Sequence, residues 1–437
     1  MIRHVGTVAM LVLCVAATPG AACAQADTST TMFDVDGLRV ILRRNPANDV
    51  VAANMYLLGG SQQLTPATQG IETLLLNASE RGTEQFPGER TRQITGRLGS
   101  TIDVRPGKDW TLFGFTSIRG TFDSTFIILA DRLAAPTLDS VEVELVRARM
   151  LSGVREEQNS PDPVVNRLAD SLAYIGHPYA FSPQGTESSL QSITLGALKS
   201  YQASQMVTSR MLLVIVGNID RAHVEPLVRR LGARLPRGSY TWTAPHAPAR
   251  LGKALDARDA DLPTNYLLGY YPGPVARDPD YQALRVATAV LSGRFFTEIR
   301  SRRNLSYEVD APFVERAISN GGVYVTTTDP NATLQIMRTE IDQLQRELID
   351  PLGLERLIGQ FITDYFLKNE TDGDEATFLA RAQIYQGDYR AAGRFVQEIR
   401  RVRPEDVRRV ARQYMHDFRF VYMGKSAALS RALIEQF

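Results

Sequence analysis

The chain has 437 residues, with 49 Lys and Arg against 48 Asp and Glu. Its near-neutral charge excludes a strongly basic nucleic-acid binder or a polybasic membrane-surface protein, and its length and 44% apolar content predict a globular chain of two or more domains. Five His and two Cys leave little material for metal or thiol chemistry.

Residues 1–26 read as a secretory signal peptide. Arg3 supplies the positive start, Val8 to Ala17 the short apolar stretch, and Ala22-Cys23-Ala24 or Ala24-Gln25-Ala26 the small-x-small cleavage site. The apolar run falls well short of the ~20 residues that span a bilayer. Lipoprotein anchoring through Cys23 is the weaker reading, because Gly20 stands where an aliphatic residue is usual. Cleavage near Ala26 removes His4, Cys14 and Cys23, and the expected location is the periplasm. The mature chain then has no cysteine and four histidines, His177, His223, His246 and His416.

Further along, the sequence reads as a duplicated unit. Tyr56-Leu57-Leu58-Gly59 recurs 210 residues later as Tyr266-Leu267-Leu268-Gly269. The stretch 129–151 parallels 341–362, and each half closes with an amphipathic helix followed by a short apolar strand, at 193–218 and 402–424. The Pro-rich segment 236–250 fits a linker between domains at 27–235 and 251–437. Strands and long helices alternate in each, predicting an α+β class with a sheet carrying helices on one face. The basic run Glu398 to Arg409 is interleaved with Glu405 and Asp406, as on a solvated helix face.

An ordered set of landmarks resembles the pitrilysin/insulinase-type zinc metallopeptidases. It comprises Asp36-Gly37-Leu38-Arg39-Val40, Leu58-Gly59-Gly60-Ser61, the stretch Gly70 to Gly82-Thr83, Gly176-His177-Pro178-Tyr179, Gly185-Thr186-Glu187 and Val216-Gly217-Asn218. Active members carry H-x-x-E-H on the helix before the Gly-Thr pair. Its two histidines share one helix face and bind zinc, while the glutamate activates water. The resemblance places Thr73, Leu76 and Asn77 at those three positions, and Ser152-Gly153 where the remaining glutamate ligand would stand. The zinc motif is degenerate, and misalignment does not rescue it. The closest of the four histidines, His223 and His246, are 23 residues apart, so no H-x-x-E-H or H-E-x-x-H exists in the mature chain. His177 reads as a structural residue in a turn, and the other three as surface or linker residues.

In the second half, Ser292 to Tyr307 is similar to the family segment in which an arginine on a helix is followed seven residues later by a tyrosine. Arg300 and Tyr307 match. The resemblance implies that this pair contacts substrate and transition state in a zinc site held by another half-shell. Without the resemblance, Arg300 would be an ordinary solvent-facing residue and Tyr307 a core aromatic. The stretch Ala289 to Gly293 lacks the extended glycine-rich loop of inactive mitochondrial processing subunits.

The resemblance thus implies a half-shell like that of the mitochondrial processing peptidases, built from two homologous mixed α/β domains. The expected function is the inactive subunit of a two-chain periplasmic zinc peptidase. It holds no cofactor itself. Its partner carries H-x-x-E-H and zinc, the substrate is a peptide, and neither nucleic acid nor a membrane span is involved. The alternative is a partner-independent pseudoenzyme with a structural or peptide-binding role.

Overall fold

The computed structural model describes residues 29–248 and 251–437. The expected signal peptide, with its cleavage site and Cys23, lies outside the described residues, as do the last two positions of the expected linker. Among the described residues, no helix is long and apolar enough to cross a membrane.

The first half contains strands β1 (Thr30–Val35), β2 (Leu38–Arg44), β3 (Val50–Leu58), β4 (Ile102–Pro106), β5 (Trp110–Ile118) and β6 (Met211–Gly217). Its helices are α1 (Ile71–Ala78), α2 (Glu89–Leu98), α3 (Phe122–Ala134), α4 (Ser140–Gln158), α5 (Pro161–Ala173), α6 (Glu187–Ser192), α7 (Leu195–Gln205) and α8 (Arg221–Gly232). The second half contains β7 (Ala254–Asp259), β8 (Asn265–Val275), β9 (Ser306–Asp310), β10 (Phe313–Val314), β11 (Ile318–Thr327) and β12 (Arg419–Gly424). Its helices are α9 (Asp280–Phe295), α10 (Pro330–Arg346), α11 (Pro351–Lys368), α12 (Asp372–Gln386), α13 (Phe395–Arg400), α14 (Pro404–Tyr414) and α15 (Arg431–Ile434).

The two sheets share a five-strand pattern, to which the first adds β1 and the second adds β10. The first runs β1-β2-β6-β3-β5-β4, and the second runs β7-β12-β8-β11 with β9 and β10 both pairing β11. In each, one parallel pair, β2 with β6 or β7 with β12, is followed by antiparallel neighbours. The helical match also holds at its most local point. Asp139 and Asp350 both cap the following long helix, each accepting two backbone N–H groups at its N-terminus, whereas the prolines of the two stretches do not correspond, Pro136 lying before its cap and Pro351 directly after.

The Tyr-Leu-Leu-Gly match does not hold in register. Val216 pairs with Ala52 and Met423 pairs with Tyr266, so matching the glycines that follow them puts Tyr266 in the place of Ala52 rather than Tyr56. The two motif glycines also serve different ends. Gly59 leaves β3 with φ +111°, whereas Gly269 sits mid-strand, where a Cβ would lie 2.3 Å from the Phe420 ring.

Strand β3, nearly continuous in apolar residues, is buried on both faces, as its sequence requires of a central strand covered twice. Val51, Ala53, Met55 and Leu57 pack with α1, α3, α4 and α8 of their own half. The alternate residues Tyr56 and Leu58, with Ile41, Leu212, Val214 and Val216, pack instead against Ala376, Leu379 and Ala380 of α12, from the second half. The second sheet mirrors this. Leu267, Tyr271 and Val323 meet α9, α10 and α14, while Leu268, Tyr270 and Val421 meet Val165 and Ala169 of α5, from the first half. Each sheet therefore carries its own helices on one face and one helix borrowed from the other half on the opposite face.

Polar contacts pin the exchange. Asp109, 3% exposed in the turn before β5, accepts hydrogen bonds from the Tyr179 hydroxyl, from the Tyr385 hydroxyl at 2.6 Å and from the Ala317 N–H at 3.0 Å. Asp170 on α5 holds Arg316 through two bonds of 2.8 and 2.9 Å, and although burial opposes it, the Arg316 and Lys108 charges keep its carboxyl below the usual range. Residues 236–248 form no helix or strand but are not loose. The Thr208 and Ser209 N–H groups bond the Pro236 and Arg237 carbonyls, and the His246 carbonyl lies 2.9 Å from His177 Nε2.

Candidate functional site

The helix expected to carry the degenerate zinc motif is α1, which begins after Gly70 in a left-handed conformation. A Cβ on Gly70 would lie 2.7 Å from the Gly185 Cα, so two of the sequence landmarks meet where backbone passes backbone. Thr73 is 2% exposed and donates to the Pro183 carbonyl at 2.7 Å. Leu76 is buried in the apolar core of the first half. The Asn77 amide nitrogen, half-buried, lies 3.9 Å from the Met150 sulfur of α4. Ser152 and Gly153 are exposed on α4, one turn before an Arg155–Glu187 ion pair of 2.5 Å.

The packing behind α1 is equally committed. Arg132 donates to the Leu76 carbonyl and to the Ser79 hydroxyl, both at 3.0 Å, and burial lowers its pKa to about 10. Glu72 meets the fully buried Arg210 at 2.6 Å and accepts from the Tyr201 hydroxyl at 2.9 Å. These residues do not fit zinc. Leu76 has no lone pair, and a neutral threonine hydroxyl and asparagine amide are not the imidazole, thiolate or carboxylate ligands that zinc takes. Among the described residues, no three His, Cys, Asp or Glu come together in a metal-holding group. His177 is held as a neutral ring, with Nδ1 accepting from the Tyr179 N–H at 3.1 Å while Nε2 faces the His246 carbonyl. His223 pairs with Asp123 at 2.6 Å on the surface.

Arg300 and Tyr307 are brought together. Helix α9 runs on into a π-helical turn, Phe296–Ser301, after which Asn304 in a left-handed conformation leads the chain into β9. Ala289 to Gly293 is therefore helix rather than loop. Ile299 anchors the turn in the core, leaving Phe296 and Arg300 outside. The Arg300 guanidinium lies over the Tyr307 ring at 4.9 Å and over the Phe296 ring at 5.2 Å. Tyr307 is 81% exposed, which removes its reading as a core aromatic. The neighbouring arginines are occupied, since Arg302 and Arg303 both bind Glu298 at 2.5 Å. The Arg300 guanidinium makes no hydrogen bond or ion pair among the described residues. An exposed guanidinium and phenol, held together with their N–H and O–H groups unspent, are suited to a carbonyl or carboxylate oxygen presented from outside. Phe296 and Glu298 were not singled out from the sequence, although a four-residue step relates Phe296 to Arg300 and Glu298 to Arg302.

Comparison with known proteins gives a consistent picture. Residues 39–187 match the family model described as insulinase (peptidase family M16), and residues 192–361 match the one described as the peptidase M16 inactive domain. An uncharacterized zinc protease of Bacillus subtilis is 21% identical over 398 residues, covering 90% of this chain and 97% of that relative. The mitochondrial-processing peptidase subunit beta of Blastocladiella emersonii is 22% identical over 414 residues, covering 91% and 88%. Among solved structures, a protease from Helicobacter pylori superposes with TM-score 0.83 at 17% identity, covering 90% of this chain and 99% of that one. A peptidase M16 inactive domain from Pseudomonas fluorescens does so with TM-score 0.83 at 18% identity, covering 92% and 99%.

Proposed function

The chain belongs to the insulinase, or M16, peptidase family, and from that premise we propose that it is the non-catalytic half-shell of a two-chain zinc peptidase. The observation that carries this reading is a contrast between the two halves. None of the three zinc-motif positions carries a zinc-ligand side chain, and Thr73 and Leu76 are buried in packing, while Arg300 and Tyr307 stand exposed with their donors free. A residue pair that needs only correct placement can serve a reaction centred on another chain, whereas a metal site with one apolar position cannot be repaired by a neighbour.

In this reading the partner carries H-x-x-E-H, and zinc bound there supplies the Lewis-acid polarisation of the scissile carbonyl. This chain walls the chamber and presents Arg300 and Tyr307. The guanidinium N–H groups and the phenol O–H donate to the carbonyl oxygen as it gains negative charge, which favours the transition state over the bound peptide. The substrate is an extended peptide small enough for the chamber, and the compartment is the periplasm.

The test is reconstitution with a co-encoded H-x-x-E-H homologue. The pair should bind zinc and cleave a quenched peptide, and this chain alone should do neither. Arg300→Ala and Tyr307→Phe should each lower kcat by about 10²-fold, the usual order for an oxyanion donor, with zinc content and assembly unchanged. Full turnover in both variants would refute the donor role, and zinc-dependent cleavage by the lone chain would refute the division of labour.

A further inference from the structure

Phe296 has no packing reason to be a phenylalanine. It is 47% exposed at the end of a helix and belongs to none of the buried clusters. Its one described ring contact is with the Arg300 guanidinium at 5.2 Å, beside the contact Arg300 makes with Tyr307 at 4.9 Å. The setting selects this arginine. Glu298 takes both Arg302 and Arg303, so among the described residues Arg300 is left without a carboxylate to fix it. An unpaired arginine on a surface turn samples many rotamers, and ordering it at the moment of contact weakens whatever it binds. Aromatic faces order a guanidinium differently from a carboxylate, because stacking uses the flat cation face and leaves the in-plane N–H donors available.

We infer that Phe296 is a positioning residue, which together with Tyr307 holds the Arg300 guanidinium in its working orientation before substrate or partner arrives. The inference rests on the donor role proposed for Arg300, and it deepens that reading by explaining how an exposed arginine is preorganised.

The stack can be read in the lone chain by nuclear magnetic resonance with ¹⁵N-arginine labelling, the Arg300 Nε–H signal being assigned by its loss in Arg300→Lys. Ring currents should displace that signal upfield. Phe296→Ala should return it towards the ordinary arginine position, and Phe296→Tyr should restore the displacement. In the reconstituted pair, Phe296→Ala should lower kcat/KM about fivefold, the order of one exposed cation–π contact, and Phe296→Tyr should recover it. The inference is overturned if Phe296→Ala leaves the Arg300 signal in place. It is also overturned if that variant cleaves like the unmodified pair while Arg300→Ala is impaired. A displaced signal that Phe296→Ala abolishes, combined with full activity in Arg300→Ala, would refute the donor role and leave the stack standing.

Discussion

At the scale of single residues, a histidine can be assigned to structure by counting its partners. The two ring nitrogens of His177 face one donor and one acceptor, a pattern that only the neutral ring satisfies. Burial lowers its pKa, so as pH falls the unfolded chain, titrating near 6.5, takes the proton first. The contribution of His177 is therefore complete above about pH 6.5 and is lost as pH falls through the folded pKa. Urea unfolding between about pH 7 and pH 5 should show a smaller loss of stability in His177→Gln than in the unmodified chain. An equal loss in both would refute the assignment. The sequence already marked this turn as structural, and only the family resemblance pointed to Arg300 and Tyr307. It did not expose Phe296 or Glu298, because their roles lie in which arginine they touch, and three arginines within four residues cannot be told apart by pattern alone.

At the scale of elements, apolar runs gave away β3 and β6, and the Asp-capped starts of α4 and α11 followed the helical match between the halves. The repeated Tyr-Leu-Leu-Gly motif misled by four positions, because strand register is fixed by ladder pairing rather than by identity of short words. The helix exchange was beyond reach for a different reason. A strand buried on both faces announces that something covers it, but not which segment does. Leu379 on α12 tests the exchange. It is 4% exposed and packs on the sheet of the other half, so Leu379→Ala should destabilise by about 3 kcal/mol. The distinctive expectation is where protection is lost. Hydrogen exchange should accelerate in β3 and β6, more than 150 residues away in sequence, and acceleration confined to the second half would contradict the packing described.

At the scale of the molecule, the exchange makes each half depend on the other. Residues 29–235 expressed alone would expose the apolar face of Tyr56, Leu58, Leu212 and Val214, and would leave Asp109 without Tyr385 and Ala317. That fragment should bind a hydrophobic dye and lack slowly exchanging amides, whereas the full chain should unfold in one cooperative transition. A monomeric fragment with native protection would refute this dependence. The borrowed helices also bear on how such a tandem could arise. Two unlinked copies of an ancestral unit could cover both sheets only by swapping α5 and α12 between molecules, as an obligate dimer whose stability varied with its concentration. Joining the copies on one polypeptide removes that dilution penalty, since the swapped partner is always present at the high effective concentration of a tether. Once fused, either copy could lose its metal ligands without losing its place, because the neighbour relies on its helix and not on its chemistry.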